Sequence, residues 1–100
     1  MAGNFKDARE PVIIKSSDST VSVEQGKSTE LFCLADGLPS PGYQWLLNGD
    51  PVPDEWIEPT ADGVRLKILA ADSSVNGGVY TCRFDNVAGT TEQSFNLQIL

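Results

Sequence analysis

The most constraining feature of this chain is a succession of short segments in which apolar and polar residues alternate. In an extended strand such alternation places every second side chain on one face, which is then apolar. The segments recur roughly every ten residues between Gly, Pro, Asn and Asp, and none has a helical period. The clearest apolar sets are Val64, Leu66 and Ile68; Tyr80, Cys82 and Phe84; and Phe95, Leu97 and Ile99. The pattern predicts an all-β antiparallel sandwich or barrel.

Both cysteines lie on the apolar side of such segments. Cys33 alternates with Leu31 and Ala35, and Cys82 alternates with Tyr80 and Phe84. We therefore expect two core residues that face each other rather than two surface thiols. They are 49 positions apart, which lacks the close spacing of a metal knuckle or a redox pair.

The size and charge of the chain limit its partners. It has 100 residues, the size of one domain, and a formal net charge of −7. Proteins bind nucleic acid and anionic membranes largely through clustered Lys and Arg, and this chain has an excess of acids instead. No apolar run approaches the length that crosses a bilayer. We expect no nucleic-acid partner and no membrane contact by this domain.

Half of the acidic residues lie in a stretch that contains no base, between Lys27 and Arg65. These acids are Glu30, Asp36, Asp50, Asp54, Glu55, Glu58 and Asp62. The stretch is typical of a solvated face that keeps a protein soluble. The alternatives are a docking surface for a basic partner and a weak divalent-cation site, and the acid spacing of a calcium loop is absent.

The composition also argues against catalysis. The chain has no histidine, which removes the commonest general base, the usual partner of Ser and Cys nucleophiles and most zinc sites. Asp54, Glu55 and Glu58 are the possible catalytic carboxylates, but they lie in an irregular segment with nothing nearby to raise a pKa. We expect no enzyme activity, no cofactor and no metal site.

Several residues together carry a resemblance to a known family. They are Cys33, then Trp45, then Leu66-Lys67-Ile68, then Gly78-Val79-Tyr80-Thr81-Cys82. In this order and spacing, inside an alternating all-β chain, they resemble the immunoglobulin superfamily, most closely its intermediate (I-set) branch. The resemblance covers Pro11 to Leu100, and we expect residues 1–10 to be a flexible lead-in or an expression tail.

The resemblance implies a two-sheet antiparallel immunoglobulin-like sandwich with Greek-key connections. It implies a disulfide between Cys33 and Cys82 through the middle of the core, with Trp45 packed against it. It also implies that the Tyr80 hydroxyl folds back onto the preceding loop, and that Leu66 is a core residue.

One position departs from the family pattern. The family usually carries an acid four residues before this Tyr, often paired with a base across the end of the sandwich. The position is Asn76 here, and no Lys or Arg precedes Arg65 where the base is expected. Asp72 is the residue that could cap this corner instead.

Domains of this family stack end to end and bind through an exposed sheet or through end loops. The resemblance thus implies a binding and spacing module of a larger cell-adhesion molecule or cell-surface receptor, outside the cell, beside other immunoglobulin or fibronectin-type domains. The alternative is a cytoplasmic scaffold domain of a giant muscle-type protein, in the sarcomere. The retained cysteine pair favours the first, and the absence of an Asn-x-Ser/Thr sequon favours the second. The expected partner is a protein, either a like copy or another protein.

Alternation also indicates candidate binding residues. On the Trp45 strand and its neighbour, the residues that point away from the core are Gln44, Leu46, Arg83 and Asp85. Leu46 is the apolar residue among them and a candidate interface anchor. Trp56 is the other candidate, with covering the edge of the sandwich as its alternative role.

Overall fold

The structure is a computed structural model that describes residues 7–60 and 63–100. Within these residues the chain forms nine strands and one short 3-10 turn. In chain order the elements are β1 Arg9–Ser16, β2 Thr20–Val23, β3 Thr29–Leu38, β4 Gly42–Leu47, β5 Asp50–Pro51, the 3-10 turn Asp54–Trp56, β6 Ile57–Thr60, β7 Gly63–Ile68, β8 Gly78–Asn86 and β9 Gly89–Ile99.

The strands form two sheets, which confirms the predicted all-β sandwich. One sheet has the order β1-β3-β7-β6 and the other the order β2-β9-β8-β4-β5. Every pairing is antiparallel except that of β2 with β9, which is parallel. Consecutive strands β1 and β2 belong to different sheets. Ser17 fixes the crossing, because its N–H donates to the Phe32 carbonyl at 2.9 Å and its hydroxyl accepts from the Phe32 N–H at 2.9 Å.

The structure finds strands in the segment that the sequence predicts to be irregular. β5 and β6 contain two and four residues, and each contains a proline, Pro51 or Pro59. Such short, proline-containing segments give no alternation to read, yet proline is tolerated here because both are edge strands. β1 begins at Arg9, inside the predicted lead-in, of which residues 1–6 lie outside the described residues.

The core centres on the bond between the two sheets. Cys33 of β3 and Cys82 of β8 are joined by a disulfide with an S–S distance of 2.02 Å and a Cα–Cα distance of 6.6 Å. Trp45 pairs with Cys82 across β4 and β8 and is 1% exposed. Its ring centroid lies 5.9 Å from that of Phe95. Leu66 of β7 is fully buried in the same cluster.

Tyr80 anchors the loop that carries the chain from β7 to β8. It is fully buried, and its hydroxyl donates to the Asn76 carbonyl oxygen at 2.5 Å. The Asn76 side chain, 5% exposed, accepts through Oδ1 from the Asp72 N–H at 2.8 Å. A neutral amide therefore closes this loop where the family pattern has an acid.

Asp72 adds a second set of contacts to the same loop. Its Oδ1 accepts from the Ser74 N–H at 2.9 Å and from the Ser74 hydroxyl at 2.7 Å. The hydrogen bonds from Ser74 lower the pKa of the Asp72 carboxyl, because they favour its charged form. Gln25, from the turn after β2, accepts the Ser73 N–H at 3.1 Å and joins the two loops at this end of the sandwich.

The Tyr80 hydrogen bond gives a measurable contribution to stability. Tyr80→Phe is expected to lower the free energy of unfolding at neutral pH by about 1–2 kcal/mol, because the Asn76 carbonyl loses its donor. Burial raises the pKa of Tyr80 from 10.0 to about 12. Between these values the unfolded chain loses the proton first, so the wild-type stability is full below pH 10.0 and falls towards about pH 12. Tyr80→Phe has no phenolic proton to lose at this position, so its free energy of unfolding should not show this decrease between pH 10.0 and about pH 12.

Urea unfolding of both proteins from neutral to alkaline pH measures both effects. Tyr43→Phe is the matched control, since Tyr43 is 44% exposed. Its substitution is expected to change neither the free energy of unfolding at neutral pH nor the decrease of that free energy at alkaline pH. Parallel pH profiles for wild type and Tyr80→Phe would contradict the assignment.

Candidate protein-binding face

The outward side of the five-stranded sheet brings together four of the predicted binding residues. Because Trp45, Cys82 and Phe95 point into the core, the residues that alternate with them point outwards. We call this side the outer face. Its central members are Gln44, Leu46, Thr81, Arg83, Asp85, Glu92 and Ser94.

The middle of the outer face is a row of polar side chains. Gln44 lies opposite Arg83 across β4 and β8, and Arg83 lies opposite Glu92 across β8 and β9. All three are exposed, as is Asp85 two residues beyond Arg83. Within residues 7–60 and 63–100, Arg83 makes no ion pair, so its guanidinium fork remains available to a carboxylate of a partner.

The adjacent row carries Leu46. This residue is half-buried, and it lies between Pro51 of β5 and Thr81 of β8. The Thr81 and Ser94 hydroxyls are 3.0 Å apart and hydrogen-bonded, which continues the row to β9. Because Leu46 is half-buried, only part of its apolar side chain is accessible to a partner.

Val79 is an outer-face residue that the sequence reasoning did not select. It is 47% exposed at the start of β8, where its backbone exchanges hydrogen bonds with Asn48. The alternation that selected Arg83 also places Val79 on this side, so the signal was present in the sequence. It extends the apolar part of the outer face beyond Leu46.

Trp56 lies apart from the outer face. It ends the 3-10 turn between β5 and β6, is half-buried, and packs against the core cluster. It thus covers the edge of the sandwich, and the five candidate residues do not form one surface.

The edges of the two sheets are poor templates for strand addition. Pro11 in β1, Pro51 in β5 and Pro59 in β6 each remove a backbone donor from an edge strand. The remaining edge strand, β2, has only four residues. A partner is therefore better recognised by side chains on the faces than by pairing with the backbone.

The described residues show no arrangement suited to metal chemistry. No group of three or more His, Cys, Asp and Glu among them could hold a metal ion. The carboxylates considered above for catalysis are exposed, and Glu58 is paired with the Lys67 ammonium at 3.4 Å. No helix in the described part of the chain is long and apolar enough to span a bilayer.

Comparison with known proteins agrees with this architecture. The family model described as "Immunoglobulin domain" matches residues 10–86. Hemicentin-1 of Mus musculus is 43% identical over 84 residues, which cover 81% of this chain and 2% of that protein. Palladin of Rattus norvegicus is 35% identical over 83 residues, which cover 80% of this chain and 13% of that protein. The chain thus spans a small part of the length of either relative.

A solved complex of titin with an obscurin-like 1 immunoglobulin domain contains a chain with the same fold. It superposes with a TM-score of 0.79 and 29% identity, over 92% of this chain and 95% of that one. The match over nearly the whole of both chains indicates that the described strands form a complete sandwich of this type.

Proposed function

Because the chain belongs to the immunoglobulin domain family, we propose that residues 11–100 form a non-catalytic protein-binding and spacing module of a larger cell-adhesion molecule or cell-surface receptor. The observation that carries the proposal is the outer face, where Gln44, Arg83 and Asp85 are exposed on a rigid sheet beside Leu46. Arg83 has no ion pair among the described residues, so a partner carboxylate can bind it without breaking an existing contact. The partner is a protein, either a like copy or a different one.

The spacing role is supported by the sizes of the relatives. This chain matches only 2% of hemicentin-1, so the similar segment there is one small part of a very long protein. In such a parent chain the module would stand beside further immunoglobulin or fibronectin-type domains. Its contribution is then to hold its neighbours at a fixed separation.

The disulfide supports a location outside the cell or at its surface. Cytosolic thiols are kept reduced, whereas secreted domains of this size commonly depend on disulfides for stability. The bond between Cys33 and Cys82 has both sulfur atoms in the core, where it holds the two sheets together.

A second candidate function is supported by the other relatives. The chain is 35% identical to a segment of palladin and 37% identical to a segment of a titin homolog of Caenorhabditis elegans. These likenesses favour a cytoplasmic scaffold domain of a giant muscle-type protein. In that compartment the two cysteines would be reduced.

The thiol state of native protein separates the two candidates. Protein taken from its tissue of origin and alkylated in denaturant, before any reduction, is expected to carry no adduct on Cys33 or Cys82, because both positions are buried in the folded domain and the denaturant exposes any free thiol. After reduction in denaturant both cysteines become reactive, and intact mass measures the change. Adducts on both residues before reduction would contradict the extracellular proposal and favour the scaffold function.

The role of the outer face is tested by a charge reversal with a matched control. Arg83→Glu is expected to reduce the recovery of bound protein from native extract about tenfold, because an acid replaces the free guanidinium. Lys15→Glu changes the net charge equally on the opposite sheet, where Lys15 is exposed and makes no ion pair among the described residues. Its recovery should match the wild type when the captured proteins are quantified by mass spectrometry. Equal recovery with Arg83→Glu would exclude the outer face.

A further inference from the structure

A groove lies at the edge of the sandwich, between the start of β6 and the loop that follows β7. Its volume is about 760 Å³, within the range of roughly 300–1,000 Å³ that is typical of ligand sites. Its apolar lining includes Trp56, Ile68, Leu69 and Val75. We call it the Trp56 groove.

Two apolar side chains of the Trp56 groove are exposed. Leu69 is 82% exposed and Val75 is 56% exposed. Trp56 is half-buried beside them, and Ile68 is buried against the core. A connected apolar surface of this kind, with an aromatic side chain, is a typical feature of a protein-binding site.

The rim of the Trp56 groove is acidic. Glu55, Glu58 and Asp72 line it, and Lys67 is the only base among the lining residues that the structure describes. The Lys67 ammonium already lies 3.4 Å from a Glu58 carboxylate oxygen. Glu55 and Asp72 make no ion pair with the described residues, so their charges are available to a basic partner.

The charge of the rim selects among possible occupants. A second copy of this chain carries a net charge of −7 and would be repelled by the acidic rim of this groove. Nucleic acid and anionic lipid would meet the same repulsion. An apolar segment of low charge would leave the Glu55 and Asp72 carboxylates without a counter-charge.

From this combination we infer that the Trp56 groove binds a polypeptide segment of a partner in which a bulky apolar side chain is flanked by Lys or Arg. The apolar side chain contacts Trp56, Leu69 and Val75. The flanking bases pair with the Glu55 and Asp72 carboxylates. Because Pro59 interrupts the adjacent edge strand, binding depends on side chains and not on strand addition.

This site is independent of the outer face. The Trp56 groove lies at the β6 edge, whereas Arg83 and its neighbours lie on the five-stranded sheet. An Arg83→Glu variant leaves the groove unchanged, so the two sites can fail separately.

Short synthetic peptides test the inference directly. One set has a central Leu, Phe or Trp between Lys or Arg residues, a second replaces the flanking bases by Glu, and a third replaces the central residue by Ser. Only the first set is expected to bind, and added salt should weaken its binding because exposed charges are screened. Binding is followed in N–H correlation spectra, where the indole signal of Trp56 should shift while that of buried Trp45 stays in place.

A double variant locates the bound peptide. Leu69→Ser with Val75→Ser is expected to weaken binding at least about tenfold, since both side chains belong to the apolar contact. Val87→Ser is the control, because Val87 is 64% exposed in the turn between β8 and β9 and lies outside the groove. Each of three results would overturn the inference: no peptide of the first set binds, the Glu-flanked peptides bind equally well, or the double variant binds like the wild type.

Discussion

The bond between Cys33 and Cys82 is the interaction on which the rest of this structure depends. It joins β3 to β8 through the centre of the core, and Trp45 packs beside it from β4. A domain of this size is only marginally stable, and closing a loop of this length contributes roughly 4 kcal/mol in the chain-entropy model. The two sheets are held face to face by this bond together with the apolar side chains packed around it.

The same frame positions the candidate binding residues on the surface. Gln44 and Arg83 are held on adjacent strands by the same β4–β8 pairing that places Trp45 opposite Cys82. The Trp56 groove depends equally on the core, since Ile68 forms part of both. For the proposed sites, this placement on paired strands means that binding would cost little conformational entropy in the backbone.

The sequence predicted the parts of the structure that follow from periodicity. Alternation identified the inward faces of β7, β8 and β9. The loop anchored by the Tyr80 hydroxyl was implied instead by the resemblance to the immunoglobulin superfamily. Alternation missed β5 and β6, because strands of two and four residues with a proline show no period. For the same reason it did not predict that Leu46 is half-buried beside Pro51. The Trp56 groove could not be predicted from the sequence either, because Leu69 and Val75 belong to a loop whose packing is set by tertiary contacts.

The most direct test of the central bond uses the wild-type sequence in two redox states. Equilibrium unfolding in denaturant is measured with the Cys33–Cys82 disulfide intact and again with both thiols kept reduced by excess reductant, because a blocking group would overfill the core at these buried positions. The account predicts that reduction lowers the free energy of unfolding by about 4 kcal/mol, a large share of the stability of a domain of this size. A loss below about 1 kcal/mol, with the same cooperative transition, would show that the bond does not hold the two sheets together.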